Sequence, residues 1–421
     1  MLDSKNGDWE TGEKFIADTG EWKNKFEWVE EFQASPNGEK VAAVVKTGEG
    51  EFNVCVNGET WETPFERIWY LRFGPDGRLA CIISTEMEFT VAVDGQAWEN
   101  TFGSVWNMRF SEDGKKIGVA IQQDMKYGAA VNGEPWETLY ANMTNFGMTP
   151  DGLHTAGAVQ TETFKEGDIF KFQEGCYTAA ADGRAWNRSF VNVWNTSFSA
   201  DGKRLAAEAR TSLYDYTIVV DGVPWQESFA CVWEPIFNPK TGAVVAPVRV
   251  AGKWTMAQDG KIMWDSSFVN CWHPMFNSNA SKLAAIVAPK YGRWTIAVDG
   301  KPWGTTFGEM LADAVFSPDG TRIAVLGKEK GQWTVVVDDA AWADNYDMVW
   351  KPVFSPNSRN VAAKVEKDGR YTVVIDGKPW KRECEAVWDP AFSDDGSKVL
   401  VRSIENGKYI RRVLPITEIA G

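Results

Sequence analysis

Short apolar runs alternate with turn residues from one end of the sequence to the other. In residues 315–339, the run RIAVL follows the turn SPDG, and a second run, WTVVV, ends at an Asp-rich turn. Runs rich in β-branched residues between such turns predict strands, and Asp-Gly supplies the left-handed backbone that tight hairpins need. No stretch of about 11 residues or more keeps the helical period of about 3.6 residues, so helix should be nearly absent.

The same pattern returns about every 39 residues. The segment WTIAVDGKPWGTTF at 294–307 recurs as WTVVVDDAAWADNY at 333–346, a spacing of 333 − 294 = 39. Each unit contains four short predicted strands, and repeats of this length with aromatic and glycine signatures are typical of β-propeller blades. A tryptophan after the Asp-Gly turn marks each of ten units: Trp22, Trp61, Trp98, Trp136, Trp186, Trp225, Trp264, Trp303, Trp342 and Trp380.

The repeats predict an all-β fold, a single ten-bladed β-propeller domain over residues 1–421. The last unit lacks the Asp-Gly-x-x-Trp element, which Asp18 and Trp22 supply instead, so strands from both termini should complete one blade. The spacing from Trp136 to Trp186 is irregular, 186 − 136 = 50, because residues 160–175 are inserted between two strands of one unit. Propellers usually have about four to eight blades, so two smaller propellers remain the alternative.

We interpret the ten repeat-defining tryptophans as core residues. A further aromatic position opens the third strand of each unit, and it is filled by Trp254 or Trp333 in some units and by Phe52 or Tyr216 in others. Replacement of one ring by another indicates a packing requirement for aromatic volume, since no particular polar atom is kept.

The charge and the metal-binding residue types exclude several classes of protein. There are 44 Lys and Arg against 58 Asp and Glu, a net charge of −14, which repels nucleic acid and disfavours anionic membrane surfaces. His154 and His273 are the two histidines, and the six cysteines contain no CxxC pair. Neither a three-histidine metal site nor a cysteine-bound cluster is encoded, so no cofactor is expected.

No set of residues predicts catalysis. The sequence lacks a G-x-S-x-G nucleophile elbow and the common phosphate-binding loops. Acids before glycine, such as Asp299, resemble calcium ligands, but they are more often turn formers. His273 occupies a position where other units have Glu234, Lys351 or Asp389, which favours contact with solvent. We predict that the chain is not an enzyme and has no catalytic, cofactor-binding or metal-binding residue.

The insertion at 160–175, QTETFKEGDIFKFQEG, is the candidate docking element. It interrupts the repeat and mixes Phe164, Ile169, Phe170 and Phe172 with charged residues. Exposed apolar residues on a loop outside the repeat are typical of partner-binding sites. The competing interpretation is a loop that folds onto its own blade.

The blade motifs resemble those of known families. Blades containing FSPDG look like the WD40-like, TolB-type propeller repeat over nearly the full chain. An acidic, tryptophan-rich chain with VDGxPW and VWxPxFSPDG blades more narrowly resembles the TmcD family, the tryptophan-rich subunits of the Tmc transmembrane redox complex of sulfate-reducing bacteria. The resemblance implies a cofactor-free cytoplasmic subunit beside an iron-sulfur, heterodisulfide-reductase-like subunit and a cytochrome b subunit.

Two functional hypotheses follow. The favoured one is a non-catalytic scaffold or docking subunit of a membrane-associated electron-transfer complex, held at the inner membrane through its partner subunits. The alternative is a propeller that binds a small molecule or glycan through channel-facing aromatic residues. The N-terminal residues MLDSKNGDWETGEKF show no basic segment followed by an apolar stretch, and no apolar run reaches about 18 residues. We therefore expect a cytoplasmic protein with no direct membrane insertion.

Overall fold

A computed structural model of the chain describes residues 7–163 and 167–421. Over those ranges the strands form ten antiparallel sheets, one for each sequence repeat, with short helices between some of them. The fold is all-β, a ten-bladed β-propeller, and this prediction from the repeats is confirmed. In nine blades the strands follow one another in chain order within the sheet, and in the tenth a strand from the start of the sequence pairs with strands from its end.

The described chain starts with β1 (Gly12–Asp18) and α1 (Thr19–Lys25). Blades 1 to 5 follow in order. Blade 1 contains β2 (Val29–Ala34), β3 (Val41–Gly48), β4 (Glu51–Val56) and β5 (Glu59–Thr60); blade 2 contains β6 (Arg67–Phe73), β7 (Leu79–Thr85), β8 (Glu88–Val93) and β9 (Gln96–Ala97); blade 3 contains β10 (Ser104–Phe110), β11 (Ile117–Gln123), β12 (Lys126–Val131) and β13 (Glu134–Pro135); blade 4 contains β14 (Met143–Met148), β15 (Thr155–Gln160), α2 (Ile169–Glu174), β16 (Tyr177–Ala181) and β17 (Arg184–Ala185); blade 5 contains β18 (Asn192–Phe198), β19 (Leu205–Arg210), β20 (Tyr216–Val220) and β21 (Val223–Pro224).

Blades 6 to 10 complete the series. Blade 6 contains β22 (Ile236–Phe237), β23 (Val244–Val250), β24 (Lys253–Gln258) and β25 (Lys261–Ile262); blade 7 contains β26 (Asn270–Phe276), β27 (Leu283–Lys290), β28 (Arg293–Val298) and β29 (Lys301–Pro302); blade 8 contains β30 (Met310–Phe316), β31 (Ile323–Glu329), β32 (Gln332–Val337) and β33 (Ala340–Ala341); blade 9 contains β34 (Met348–Val349), β35 (Val353–Phe354), β36 (Val361–Lys367), β37 (Arg370–Ile375) and β38 (Lys378–Pro379); blade 10 contains β39 (Ala386–Val387), β40 (Ala391–Phe392), β41 (Lys398–Glu405) and β42 (Lys408–Pro415), before α3 (Thr417–Ala420). In blades 9 and 10 the first strand is divided in two.

Strands from both ends of the sequence complete blade 10, as predicted. β1 pairs with β42 in antiparallel register, from Gly12 opposite Val413 to Asp18 opposite Lys408. Pairing β1 with β42 also covers two strand edges that would otherwise be open to other chains.

Buried arginines of blade 10 fix this closure. Arg412 lies between Glu13 of β1, at 2.8 Å, and Glu405 of β41, at 2.5 Å. Arg402 donates a hydrogen bond from Nη1 to the carbonyl of Ser35, at 2.9 Å, in the first turn of blade 1. Because these guanidinium groups are nearly inaccessible to water, each needs such oxygen partners to remain charged.

The chain separates into two compact units. The first comprises the described residues of Met1–Met87 together with Val91–Trp98 and Gly304–Gly421; the second comprises Glu88–Thr90 and Glu99–Trp303. The first unit therefore includes blades 1, 8, 9 and 10 and most of blade 2, and the second includes blades 3 to 7. The prediction that residues 1–421 are a single domain stays a prediction.

One turn residue ties each sheet together at the end of its third strand. In blade 8, Asp338 has a left-handed φ of 50° and accepts a hydrogen bond through Oδ1 from the backbone N–H of Ile323, at 2.9 Å. Across the described residues the same bond is made by Asn57, Asp94, Asn132, Asp182, Asp221, Asp259, Asp299 and Asp376. The repeated acids thus serve as turn residues that anchor the start of the second strand.

Neighbouring sheets pack face to face through aliphatic side chains of their second and third strands. Between blades 1 and 2, for example, Val44 and Val54 contact Leu79 and Ile83. The repeat-defining tryptophans lie at the edge of these layers. Trp22, Trp136, Trp264 and Trp380 are buried, and the other six are half-buried.

A second set of tryptophans, at the start of the first strands, is more exposed than a uniform aromatic core would be. Trp28 is 53% exposed, although its ring meets Phe52 of the third strand edge-on, with centroids 6.4 Å apart. The same first-to-third-strand pairing joins Trp272 to Trp294 at 4.4 Å. In both pairs, a tryptophan ring at the first strand therefore packs against a ring of the third strand.

The turn bond of Asp338 can be tested by substitution. Asp338→Ala leaves the N–H of Ile323, at the start of buried β31, without its acceptor, so we expect the free energy of unfolding to fall by about 1–3 kcal/mol. Asp338→Asn keeps an acceptor, as Asn57 and Asn132 do, and should lose less than about 1 kcal/mol through its weakened pair with exposed Arg322. Urea unfolding measures both losses; equal losses would contradict the assigned role.

Candidate functional site

The insertion lies between β15 and β16, at the hairpin that joins the second and third strands of blade 4. Its base is fixed, because the N–H of Thr161 donates to the carbonyl of Cys176 at 2.9 Å, and the N–H of Cys176 donates to that of Phe190 at 3.0 Å. Asp168 caps α2 by accepting from the N–H of Lys171. The insertion is therefore folded at its base and includes a short helix.

The structure separates the four predicted docking residues. Phe170 is 81% exposed and Ile169 is 62% exposed, both at the start of α2. Phe172 is half-buried, and Phe164 lies outside the described residues. The exposed apolar surface of the insertion thus comes from Ile169 and Phe170, which face solvent from a non-repeat segment.

A second feature was not found from the sequence. The second-strand position that pairs with Glu30 in blade 1, with Trp69 in blade 2 and with the equivalent first-strand residue elsewhere is apolar in most blades: Val44, Ile82, Ala120, Ala158, Pro247, Ile286 and Leu326. In three blades it is charged, with Glu208, Lys364 and Arg402. Aligning the second strands of the ten repeats would have revealed these three residues.

Glu208 lies on β19, the second strand of blade 5, and is buried, with 4% of its surface exposed. Asn195, a left-handed residue in a bulge of β18, donates from Nδ2 to Glu208 Oε1 at 2.5 Å. Burial raises the pKa of Glu208 from 4.5 to about 7, although the bond from Asn195 acts in the opposite direction and the charge of Glu234 adds to the increase. The carboxyl group therefore changes protonation near neutral pH.

A polar cavity of about 450 Å³ lies against these strands, entirely within the second unit. Asn145, Asn195 and His273, all left-handed, line it together with Arg109 and Glu234. The N–H of His273 donates to Glu234 Oε1 at 2.7 Å, while its ring Nδ1 is 4.0 Å from the same oxygen. His273 is thus exposed and held through its backbone, in agreement with the solvent contact expected for this position.

Lys364 and Arg402, the other two charged residues of this position, lie in the first unit. Lys364 Nζ is 3.9 Å from the centroid of the Trp350 ring, and burial lowers the pKa of this lysine. Arg402 takes part in the closure of blade 10. Lys364 therefore has an aromatic partner in its own blade, whereas Arg402 joins blade 10 to blade 1.

The cysteines lie mainly in the core. Cys55, Cys81, Cys176, Cys271 and Cys384 are buried and Cys231 is half-buried, all as free thiols. Burial raises the pKa of Cys55 to about 11 and that of Cys384 to about 12. A thiol with so high a pKa is a poor nucleophile at neutral pH.

Within residues 7–163 and 167–421, no three or more His, Cys, Asp or Glu side chains converge in a way that could hold a metal ion. Of the helices in that part of the chain, none has the length and hydrophobicity of a membrane-spanning segment.

The fold and these surfaces define the chain as a β-propeller, a class whose fold is used for binding and scaffolding roles. No family model matches the sequence, and no curated protein matches it. Among solved structures, the chain is similar to the crystal structure of a eukaryotic initiation factor, with a TM-score of 0.49 and 13% identity, over 81% of this chain and 94% of that one.

The buried carboxyl group predicts a pH-dependent stability. Because the folded-state pKa of Glu208 is raised, its contribution is fully present below its unfolded pKa of 4.5 and is lost as the pH rises through about 7. Glu208→Gln keeps an acceptor for Asn195 and removes this loss. We expect the variant to be more stable than the parent at about pH 8, by up to about 3 kcal/mol, and similar to it at about pH 4.

Urea unfolding at both pH values measures this difference. Glu227→Gln, an exposed acid of the same blade, is the matched control and should change little. A Glu208→Gln variant with the same pH profile as the parent would show that Glu208 is ionised in the fold at neutral pH.

Proposed function

We propose that this protein is a non-catalytic docking subunit of a membrane-associated electron-transfer complex. In this proposal it lies on the cytoplasmic side and contacts an iron-sulfur subunit and a cytochrome b subunit. The blades act as a rigid scaffold, and the insertion of blade 4 supplies contacts that the repeat does not provide.

The exposure of Phe170 and Ile169 on α2 is the observation that carries the docking role. Two large apolar side chains at the start of one short helix expose surface that water solvates poorly. The base of the insertion is hydrogen-bonded to blade 4, so a partner would meet a largely preformed element and lose little conformational entropy on binding. Aromatic anchors of this kind often account for most of the binding energy at an interface.

The redox context rests on the resemblance of the VDGxPW and VWxPxFSPDG blades to the TmcD family. The structure gives those motifs a physical meaning, since the Asp of VDG makes the turn bond, as Asp299 does, and the Trp of VWxPxF pairs with a third-strand ring, as Trp350 does. The motifs therefore support the blade architecture directly, and they support the redox partners through resemblance.

Co-purification tests the proposal. We expect an affinity-tagged chain, expressed in its native host and isolated in mild detergent, to recover subunits with haem and iron-sulfur absorbance. Phe170→Ser should lower the recovered amount of these subunits about tenfold or more, because the aromatic side chain that the partner would bury at the interface is lost. Mass spectrometry and the absorbance of the eluate give the measurement.

Met87→Ser is the matched control, because Met87 is 87% exposed at the equivalent hairpin of blade 2. It should leave recovery unchanged. Recovery of the parent chain as a free species, without redox subunits, would refute the redox role. Equal recovery with Phe170→Ser and the parent would refute docking through the insertion.

A further inference from the structure

The second-to-third-strand hairpins of blades 6 and 7 form a surface that differs in charge from the rest of the chain. We call the ends of β23–β24 and β27–β28 the basic tips; they comprise the exposed residues Arg249, Val250, Lys253, Lys290 and Tyr291 and the half-buried Arg293. Both hairpins belong to the second unit, and their sheets pack against each other through one cluster that includes Trp254 and Val287. Trp254 and Val287 lie within a few residues of the hairpin turns along their strands. Because they pack in one cluster, the two tips are neighbours.

The charge of the basic tips is uniform. Residues 247–256, PVRVAGKWTM, and 287–296, VAPKYGRWTI, contain four cations and no Asp or Glu. Equivalent hairpins of the same unit are mixed, with Asp124 next to Lys126 in blade 3 and Arg210 near Asp215 in blade 5. The cations of blades 6 and 7 are therefore a local departure from a chain of net charge −14.

Apolar and aromatic side chains project between these cations. Tyr291 is 92% exposed and Val250 is 44% exposed. Val269 is also exposed, and its N–H donates to the carbonyl of Ala288 at 2.8 Å, which holds it beside the hairpin of blade 7.

We propose that the basic tips contact an anionic lipid surface. Cations that flank an exposed tyrosine and valine match the layered chemistry of a bilayer, with phosphate at the headgroup level and apolar chains below it. Tyrosine suits this boundary because its ring is apolar and its hydroxyl is polar. The proposal does not depend on the redox partners, since it concerns the isolated chain and lipid alone.

The net charge of the chain does not prevent this contact at physiological ionic strength. Charges farther than about 10 Å from the bilayer are screened at about 0.1 M salt, while the cations of the tips approach the phosphate groups directly. Attraction at the tips therefore acts at short range, where the acids elsewhere have little effect.

Vesicle sedimentation tests the proposal with the purified full chain. We expect binding to vesicles of equal parts phosphatidylglycerol and phosphatidylcholine at about 0.1 M salt, and its loss at about 1 M salt. Phosphatidylcholine alone should not bind the chain. Lys290→Gln and Arg293→Gln should each weaken binding about fivefold. Tyr291→Ser should weaken it while leaving the salt dependence unchanged.

Lys126→Gln is the matched control, because Lys126 is an exposed lysine on the equivalent hairpin of blade 3, next to Asp124. It should bind as the parent does. The proposal is overturned if the parent stays in the supernatant with vesicles that contain phosphatidylglycerol. Binding of the parent to polyuridylate or polyglutamate, without binding to these vesicles, would overturn it in favour of a nucleic acid or an acidic peptide. It is also overturned if Lys126→Gln weakens binding as much as Lys290→Gln. The docking role of Phe170 is tested separately, by the recovery of redox subunits. Failure of the lipid proposal therefore does not decide the docking proposal, and the reverse also holds.

Discussion

The fold depends on one repeated contact, an indole ring over a glycine. In the first unit, Trp61 of blade 1 packs on Gly95 of blade 2, where a Cβ would lie 3.2 Å from the ring. In the second unit, Trp264 packs on Gly300 in the same way, at 3.3 Å. Each glycine also has a left-handed φ, 85° and 78°, which other residues rarely adopt. The contact thus joins two requirements, a tight hairpin in one blade and an aromatic cover from the preceding one.

This contact explains why the number and length of the blades could be predicted from sequence. The contact joins the Asp-Gly turn of one blade to the tryptophan of the preceding blade, so both recur in the sequence at the blade period. The exposure of individual tryptophans was harder to predict than the number of blades, as Trp28 shows. It belongs to a series that recurs in eight of the ten blades, but it lies at the start of a first strand, where Phe52 meets its ring edge-on and 53% of its surface stays exposed.

The candidate sites could be predicted from the sequence only where they interrupt the repeat. The insertion was visible because residues 160–175 break the period, yet its sequence did not distinguish exposed Phe170 from half-buried Phe172. Glu208 was missed because a single charge within LAAEAR resembles an ordinary solvent-facing strand residue. Its burial follows from the neighbouring first strand and Asn195, which sequence periodicity does not describe. The basic tips were hidden by the net charge, an average over the whole chain.

The pairing of β1 with β42 has a consequence for biosynthesis. Gly12 meets Val413, so a growing chain can fold its early blades long before the partner of its first strand has left the ribosome. Over that interval β1 has no strand to pair with and remains a possible template for other chains. Such a distant contact also closes slowly, since long loops must be ordered first. Chaperone demand should therefore persist until β42 has been synthesised, and a circular permutant that joins β42 to β1 directly should fold with less of it.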